Sequence, residues 1–411
     1  MARILRAACA LTVLLAGSGL AGTQASARSP RTSVTVRMDM REAIRAGWFD
    51  PKAEQAGLRG GSAPLSWGAT LPASDPDGDG VYDVRLTVPV RASRTAFLSY
   101  KFKVDGTENP NDGWETGPNR ALLLARNGAV VMRAFDAPGS PFPSTLAGRT
   151  VVHPAFASTY VGARDVTVLL PEGYARSPKR RYPVLYMHDG QNLFDAARAF
   201  GGEWQVDETA YALARRRRAE PVIVVGVHNT ERRVDDYTPT AMQRETPNGV
   251  LRFGGGADAY GRFLVEELKP FIDRTYRTET GPARTALCGS SLGGLVTMYL
   301  GLTFRDVFGT LIVVSPSVWW DNEAIVRSVD GLAKPTGQRI WVDIGTGEGP
   351  DTVTQTRHLR DALARKGWTV GRDLAYREVE GAGHDESAWA ARFGAMLEFA
   401  FPAPRRPLSR R

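Results

Sequence analysis

The sequence predicts a two-part chain: an α/β unit with a mostly parallel sheet flanked by helices, preceded by a small all-β sandwich. Three observations carry this. From about residue 150, apolar runs of strand length alternate with segments of helical periodicity, the pattern of βα units packed on both faces of a parallel sheet. Between residues 33 and 135 the apolar runs are short, β-branched or alternating, with Gly, Pro and Asp between them, as in a β-sandwich of about 100 residues. Between the two lies "DAPGSPFPSTLAG", residues 136–148, Pro/Gly/Ser-rich and without periodicity, which reads as a linker.

The elements follow in order. In the first unit the strands are "SVTVRMDM", "VYDVRLTVPV", "LSYKFKV", "ALLLA" and "AVVMRAF". In the second, residues 149–402, two early strands "VVHPAFAS" and "RDVTVLLP" precede "YPVLYMHD", "PVIVVGVHN", "RTALCGS", "GTLIVVSPS", "RIWVDIGT" and "LAYREVEG". Helices are expected at roughly 205–217, 257–278, 292–304, 354–366 and 387–400; in the longest, Tyr260, Phe263, Leu264, Leu268, Phe271 and Ile272 recur at helical spacing. Sheets of this kind place their sites beyond the C-terminal ends of the strands.

The chain of 411 residues carries a formal net charge of +8. Arg3 and Arg6, the apolar stretch "AACALTVLLAG" and the small residues Ala25-Ser26-Ala27 read as a secretory leader over residues 1–27; its apolar core is too short to span a bilayer. Cys9 is not preceded by the Leu-x-Gly of a lipoprotein signal, and no later stretch qualifies as a membrane span. Cleavage after Ala27 would give a secreted or periplasmic protein of 411 − 27 = 384 residues with Cys288 as its one thiol, so stability would rest on core burial and not on a disulfide. Without Arg3 and Arg6 the charge falls from +8 to about +6, modest for the length. The dense run Arg215–Arg218 follows the helical "VDETAYALA" and reads as a solvated helix C-terminus. Neither it nor the basic tail, residues 403–411, comes with a nucleic-acid motif.

Gly289-Ser290-Ser291-Leu292-Gly293 fits Gly-x-Ser-x-Gly, between the short apolar strand "RTALC" and the helical "LGGLVTMYLGL". A serine on such a tight strand-to-helix turn projects its hydroxyl from the sheet, and the small flanking residues permit the strained backbone. The pattern selects Ser291 as nucleophile. A hydroxyl needs a base to take its proton, and the chain order in this arrangement is Ser, acid, His. Beyond Ser291 stand only His358, within the helical "TQTRHLRDALA", and His384, in the Gly-flanked "EGAGHDESAW"; His384 is the expected base. The acid should follow "RIWVDI". Asp343 lies inside that strand, and the loop beyond it offers Glu348, preferred, with Asp351 in reserve. The oxyanion hole needs two backbone N–H groups, expected from Leu292 and, in the turn of "YMHDGQNLFD", from Gln191. His188, Arg233, Trp319 and Trp320 are expected to line the substrate pocket; His188 and His228 both end strands, and His153 also precedes the nucleophile.

With "YMHDGQNLFD", "GSSLGG", "SPSVWW", "DIGTGEG" and "GAGHDESAW" in place, the region 150–400 resembles the esterase D, or enterochelin esterase-like, family of α/β-hydrolases, which includes feruloyl esterases and S-formylglutathione hydrolases. The resemblance implies an α/β-hydrolase fold and supports Ser291 and His384; the family uses either Asp or Glu as acid. In the first unit, "SDPDGDGVYDVRLTVP", "YKFKVDG" and "WETGPNR" resemble immunoglobulin-like starch- and glycogen-binding modules. That resemblance makes Trp67 and Trp114 the aromatic residues expected to stack on sugars, although similar domains of enterochelin-type esterases shape the pocket instead. Asp75, Asp77 and Asp79 give half of an EF-hand pattern, but position 12 would be Leu86 where a closing Glu is needed; the stretch reads as a polar turn, and no metal is expected.

The expected function is therefore an exported serine esterase working through an acyl-enzyme, without cofactor, on esters of carbohydrate such as feruloyl or acetyl groups. The alternatives are a siderophore trilactone esterase and, in another class, a non-catalytic carbohydrate-binding protein. The expected partners are a small-molecule or polysaccharide-linked ester and a carbohydrate surface, with no nucleic acid and no membrane span.

Overall fold

The computed structural model describes residues 31–61, 63–89, 97–106, 113–115, 119–123, 128–135, 144–199, 202–246, 249–331 and 333–404. The expected leader, most of the linker and nearly all of the basic tail lie outside them.

The N-terminal unit is built from two sheets. One has strand order β4-β1-β7: β1 (Arg31–Asp39) pairs antiparallel with β4 (Val81–Pro89) and parallel with β7 (Ala129–Ala134). The other has order β3-β2-β5-β6, formed by β2 (Gln55–Gly60), β3 (Leu71–Pro72), β5 (Phe97–Asp105) and β6 (Arg120–Leu123). Alternate residues of β1 and β4, among them Val34, Val36, Val84 and Leu86, meet Leu58, Tyr100 and Phe102 of the second sheet in one core, as the period-2 pattern requires. Strand β2, "QAGLRG", was not among the expected strands; its two glycines interrupt the β-branched pattern, and it is recruited by pairing with β5. A one-turn helix, α1 (Arg41–Arg45), follows β1.

The C-terminal unit is an eight-stranded sheet of order β17-β16-β15-β14-β10-β11-β9-β8. Six strands are parallel: β10 (Val184–His188), β11 (Ile223–Val227), β14 (Thr285–Ser290), β15 (Thr310–Val314), β16 (Arg339–Gly345) and β17 (Leu374–Val379). The antiparallel β8 (Arg149–Phe156) and β9 (Arg164–Leu170) close one edge. Central strands β10, β11, β14 and β15 are buried throughout, which explains their unbroken apolar runs. Their side chains divide between two cores. Leu287 and Val313 face one, together with the helical segment Ala257–Thr275, whose last part is α5 (Lys269–Thr275), and α6 (Leu292–Thr303); Ala286, Cys288 and Ile312 face the other, with α2 (Val206–Arg215) and α9 (Glu386–Ala400). Helices α7 (Ala324–Asp330) and α8 (Pro350–Arg365) complete the cover, and a hairpin of β12 (Ala241–Thr246) and β13 (Gly249–Gly254), not expected from the sequence, projects between α3 (Arg233–Asp236) and α4 (Ala257–Arg262). Among the described residues no helix is long and apolar enough to cross a membrane.

In this order β10 is flanked by β11 on one side and β14 on the other, so the chain reverses its direction of travel across the sheet between β10 and β14. The crevice at such a switch point is where ligands bind. The fold makes it narrow: a Cβ added at Gly289 would stand 2.6 Å from the carbonyl oxygen of Gly293 and 2.7 Å from the His188 ring. Gly289→Ala is therefore expected to shift the start of α6, lowering the melting temperature by several degrees and esterase turnover at least tenfold, as measured by thermal unfolding and ester hydrolysis.

Candidate active site

At the C-terminal end of β14 the backbone of Ser291 adopts φ 59° and ψ −124°, a conformation that a non-glycine residue holds only when its surroundings impose it. Here the Ser291 amide donates to Val314 O at 3.1 Å and its carbonyl accepts from Ser317 N at 3.0 Å. Helix α6 begins at the next residue, so the amide of Leu292 lies in the first turn and has no acceptor within the helix. The Ser291 hydroxyl stands 3.4 Å from that of Ser317 and opens into a cavity of about 610 Å³ lined also by Ser290, His384, Gln191, Arg233, Glu386 and Trp67.

His384 lies in the loop between β17 and α9. Its Nδ1 is 2.7 Å from Glu348 Oε2, and its ring packs edge-on against Trp389 with centroids 5.1 Å apart. Glu348 is buried (its side chain 2% exposed). Its other oxygen, Oε1, accepts from Gly345 N at 2.9 Å and from Ser315 Oγ at 2.6 Å. The Ser315 hydroxyl in turn accepts from Trp389 Nε1 at 3.0 Å and Arg392 at 2.7 Å. Arg392 is bound at the same time to Asp343, which is fully buried and also accepts from Trp341 Nε1. Asp343 thus packs beneath the site, while Asp351 sits exposed in the first turn of α8.

At the end of β10, Asp189 has φ 57° and leads into a short 3₁₀ turn, Gly190–Asn192, that places Gln191 at the cavity wall. The Asp189 carboxylate accepts two bonds from Arg233, both at 2.8 Å, and one from Asn229 at 2.6 Å. Burial alone would raise its pKa; the guanidinium and amide outweigh that and hold it below the ordinary carboxylate value. Glu386, at the start of α9, accepts from Asn192 Nδ2 at 3.0 Å. Burial pushes its pKa up to about 7, with the Asp385 and Asp189 charges acting in the same direction.

Three expected pocket residues lie elsewhere. His188 is buried beneath the Ser291 turn, its Nδ1 2.9 Å from the Tyr260 hydroxyl, and burial depresses its pKa to about 3. Its ring packs against Tyr237 and Tyr260 of the helical layer, with centroids 5.2 and 5.5 Å away, so it supports the turn and is not among the residues lining the cavity. Trp320 is buried under the β12–β13 hairpin, donating to Thr240 O at 2.9 Å, and Trp319 is exposed beside it; neither is among the residues lining the cavity. Of the other histidines, His228 reaches the cavity wall, His153 is bonded to Tyr276, and His358 faces Glu323 on the surface. The residues that sequence inspection passed over are Ser315, Trp389, Arg392, Trp204 and Glu386. Arg392 left one signal, a lone cation on the apolar face of α9.

The N-terminal unit also contributes. Trp67 and Asn119 line the same cavity, and the loop after β2 supplies Gly61 O, which accepts from His384 N at 3.2 Å. Trp114 stands 6.2 Å behind Trp67, with Arg59 and Lys103 over its ring.

A strand–turn–helix serine at the switch point and a carboxylate-bound histidine on the wall of the same cavity are the arrangement of an α/β-hydrolase. The family model described as "Putative esterase" matches residues 158–400, more than half of the chain. The chain belongs to that family, and it is a carboxylic ester hydrolase. It is 32% identical over 189 residues to the ferri-bacillibactin esterase BesA of Bacillus subtilis, 42% of this chain and 61% of that protein. It is 31% identical over 167 residues to a siderophore enterobactin esterase of Emericella nidulans, 36% of this chain and 52% of that protein. Among solved structures, the enterobactin esterase FES of Shigella flexneri in the presence of enterobactin aligns with TM-score 0.58 at 15% identity, covering 84% of this chain and 87% of that one, a likeness of fold.

Two outcomes follow from the site. Ser315→Ala removes a donor to Glu348 and leaves Arg392 and Trp389 short of an acceptor, so kcat is expected to fall about tenfold with KM little changed. Because its pKa is raised, Glu386 is neutral below about pH 7 and anionic above it. For an anionic ester KM is therefore expected to rise as pH passes upward through 7; Glu386→Gln should remove that rise, and a neutral ester should not show it.

Proposed function

We propose that the protein is a serine esterase that cleaves siderophore-type esters, with Ser291 as nucleophile, His384 as general base and acid, and Glu348 as the carboxylate that orients it. The observation that carries the catalytic part is the 2.7 Å contact between His384 Nδ1 and the buried Glu348, on the wall of the cavity shared with a serine held at positive φ. A hydrogen bond at Nδ1 leaves Nε2 to face the nucleophile. Glu348 is favoured over Asp351 because only Glu348 touches the ring. His384 takes the Ser291 proton as Oγ attacks the ester carbonyl. The Leu292 and Gln191 amides hold the oxyanion, the leaving alkoxide regains the proton from His384, and water activated by the same base releases the acid.

The substrate part rests on the relatives, whose names include bacillibactin and enterobactin esterases, and on the cavity walls. Indoles of Trp67, Trp204 and Trp389 line the cavity into which the serine opens, flat apolar faces suited to an aromatic acyl group. These favour the siderophore reading over the carbohydrate ester. Trp67 serves this reading as a wall of the ester pocket, where the sugar-binding reading would need it on a free surface.

Ser291→Ala is expected to lower kcat by a factor of about 10⁴ or more and to abolish labelling by a fluorophosphonate probe. Glu348→Gln should lower kcat at least a hundredfold while Asp351→Asn leaves it within twofold; the reverse ranking would overturn the acid. On a panel of catecholate trilactone, feruloyl, acetyl-xylan and aryl acetate esters, the trilactone should show the highest kcat/KM. A higher value for feruloyl or acetyl-xylan ester would return the substrate to carbohydrate.

A further inference from the structure

Next to Trp204 in the chain, three carboxylates come together. Glu203 and Asp207 are 1% and 0% exposed, Glu208 is half-buried, and one oxygen from each lies within 4.8 Å of the other two. Their remaining bonds are few. Glu203 Oε2 accepts from Thr145 Oγ1 at 2.8 Å, and Asp207 Oδ2 accepts from the amides of Ala147 and Gly148, both at 2.7 Å. Glu203 Oε1, Asp207 Oδ1 and Glu208 Oε2 are all buried without a hydrogen-bond partner. A cluster of acids alone would mean little, but Glu203 Oε1 and Asp207 Oδ1 are unpartnered on side chains that are wholly buried. The charges acting most strongly on the group are its own members and Asp195, all of one sign. Uncompensated carboxylates at this depth are costly, and a cation supplies what their geometry lacks.

We propose that Glu203, Asp207 and Glu208 bind a hard divalent cation of the calcium type. The donors are all oxygen, which selects such ions over softer metals. The ion would tie together three pieces of chain: Thr145–Gly148, just before β8; the first turn of α2; and, through Glu203, the neighbouring Trp204 at the wall of the ester cavity. Its role is structural, since it does not touch the reacting groups.

The test uses the intact protein, dialysed against calcium, then measured for bound metal by mass spectrometry, for melting temperature with and without EGTA, and for terbium luminescence excited through tryptophan. The expected result is one equivalent of calcium, a loss of about 3 °C or more in EGTA that calcium restores, and terbium binding weakened about tenfold or more by Glu208→Gln and by Glu203→Gln. Asp77→Asn serves as control, because Asp75, Asp77 and Asp79 form a second acidic group in the N-terminal unit. Loss of terbium binding in Asp77→Asn but not in Glu208→Gln would overturn the proposal and assign the ion to that turn. No bound metal and no response to EGTA would overturn it as well. So would a Glu208→Gln protein that melts higher without any cation, since that result means Asp207 and Glu208 share a proton instead.

Discussion

The site depends on one hydrogen bond, that between Glu348 and the imidazole of His384. The carboxylate is buried, and a buried carboxylate is stable only if its oxygens are satisfied. One oxygen faces His384; the other is held by Gly345 N and by Ser315. Ser315 can donate there because its own acceptor sites are taken by Trp389 and Arg392. Arg392 is anchored by Asp343 inside β16. The orientation of one surface imidazole is thus set by a polar chain that runs through the second core of the sheet. Breaking a buried pair of this kind by removing one partner costs about 3–5 kcal/mol, so the network resists rearrangement while the ring at its end stays partly open to the cavity.

A second constraint comes from across the domain boundary. The His384 loop is bonded to Gly61 and the cavity is completed by Trp67, so the N-terminal sheets shape the ester site as well as extending the chain. The structural likeness to FES reaches 84% of this chain, beyond the 158–400 region of the esterase model, so it takes in more than the hydrolase unit alone.

Charge is distributed unevenly around the cavity. Asp189 is kept ionised by Arg233, and that pair fixes the turn bearing Gln191 without leaving a free charge. Glu386, with no such cation bonded to it among the described residues, is pushed toward neutrality near pH 7. Two carboxylates on one wall therefore behave differently because only one has a guanidinium clamped to it.

Sequence alone determined the α/β order and the Ser291 turn, and it singled out His384 and the loop that carries Glu348, because these depend on local grammar: strand, tight turn, helix, and chain order along one sheet. It could not separate Glu348 from Asp351. The two residues are three apart in one polar loop, and their difference lies in which side chain turns back toward a strand end contributed by another segment. For the same reason it placed His188, Trp319 and Trp320 in the pocket: ending a strand puts a residue near the crevice, but the pleat and the next turn decide whether its side chain enters. Strand β2 and the β12–β13 hairpin exist through pairing partners remote in sequence. The Ser315–Arg392–Asp343 chain and the entry of Trp67 into the cavity join residues tens to hundreds of positions apart, and only the packed sheet brings them within bonding distance.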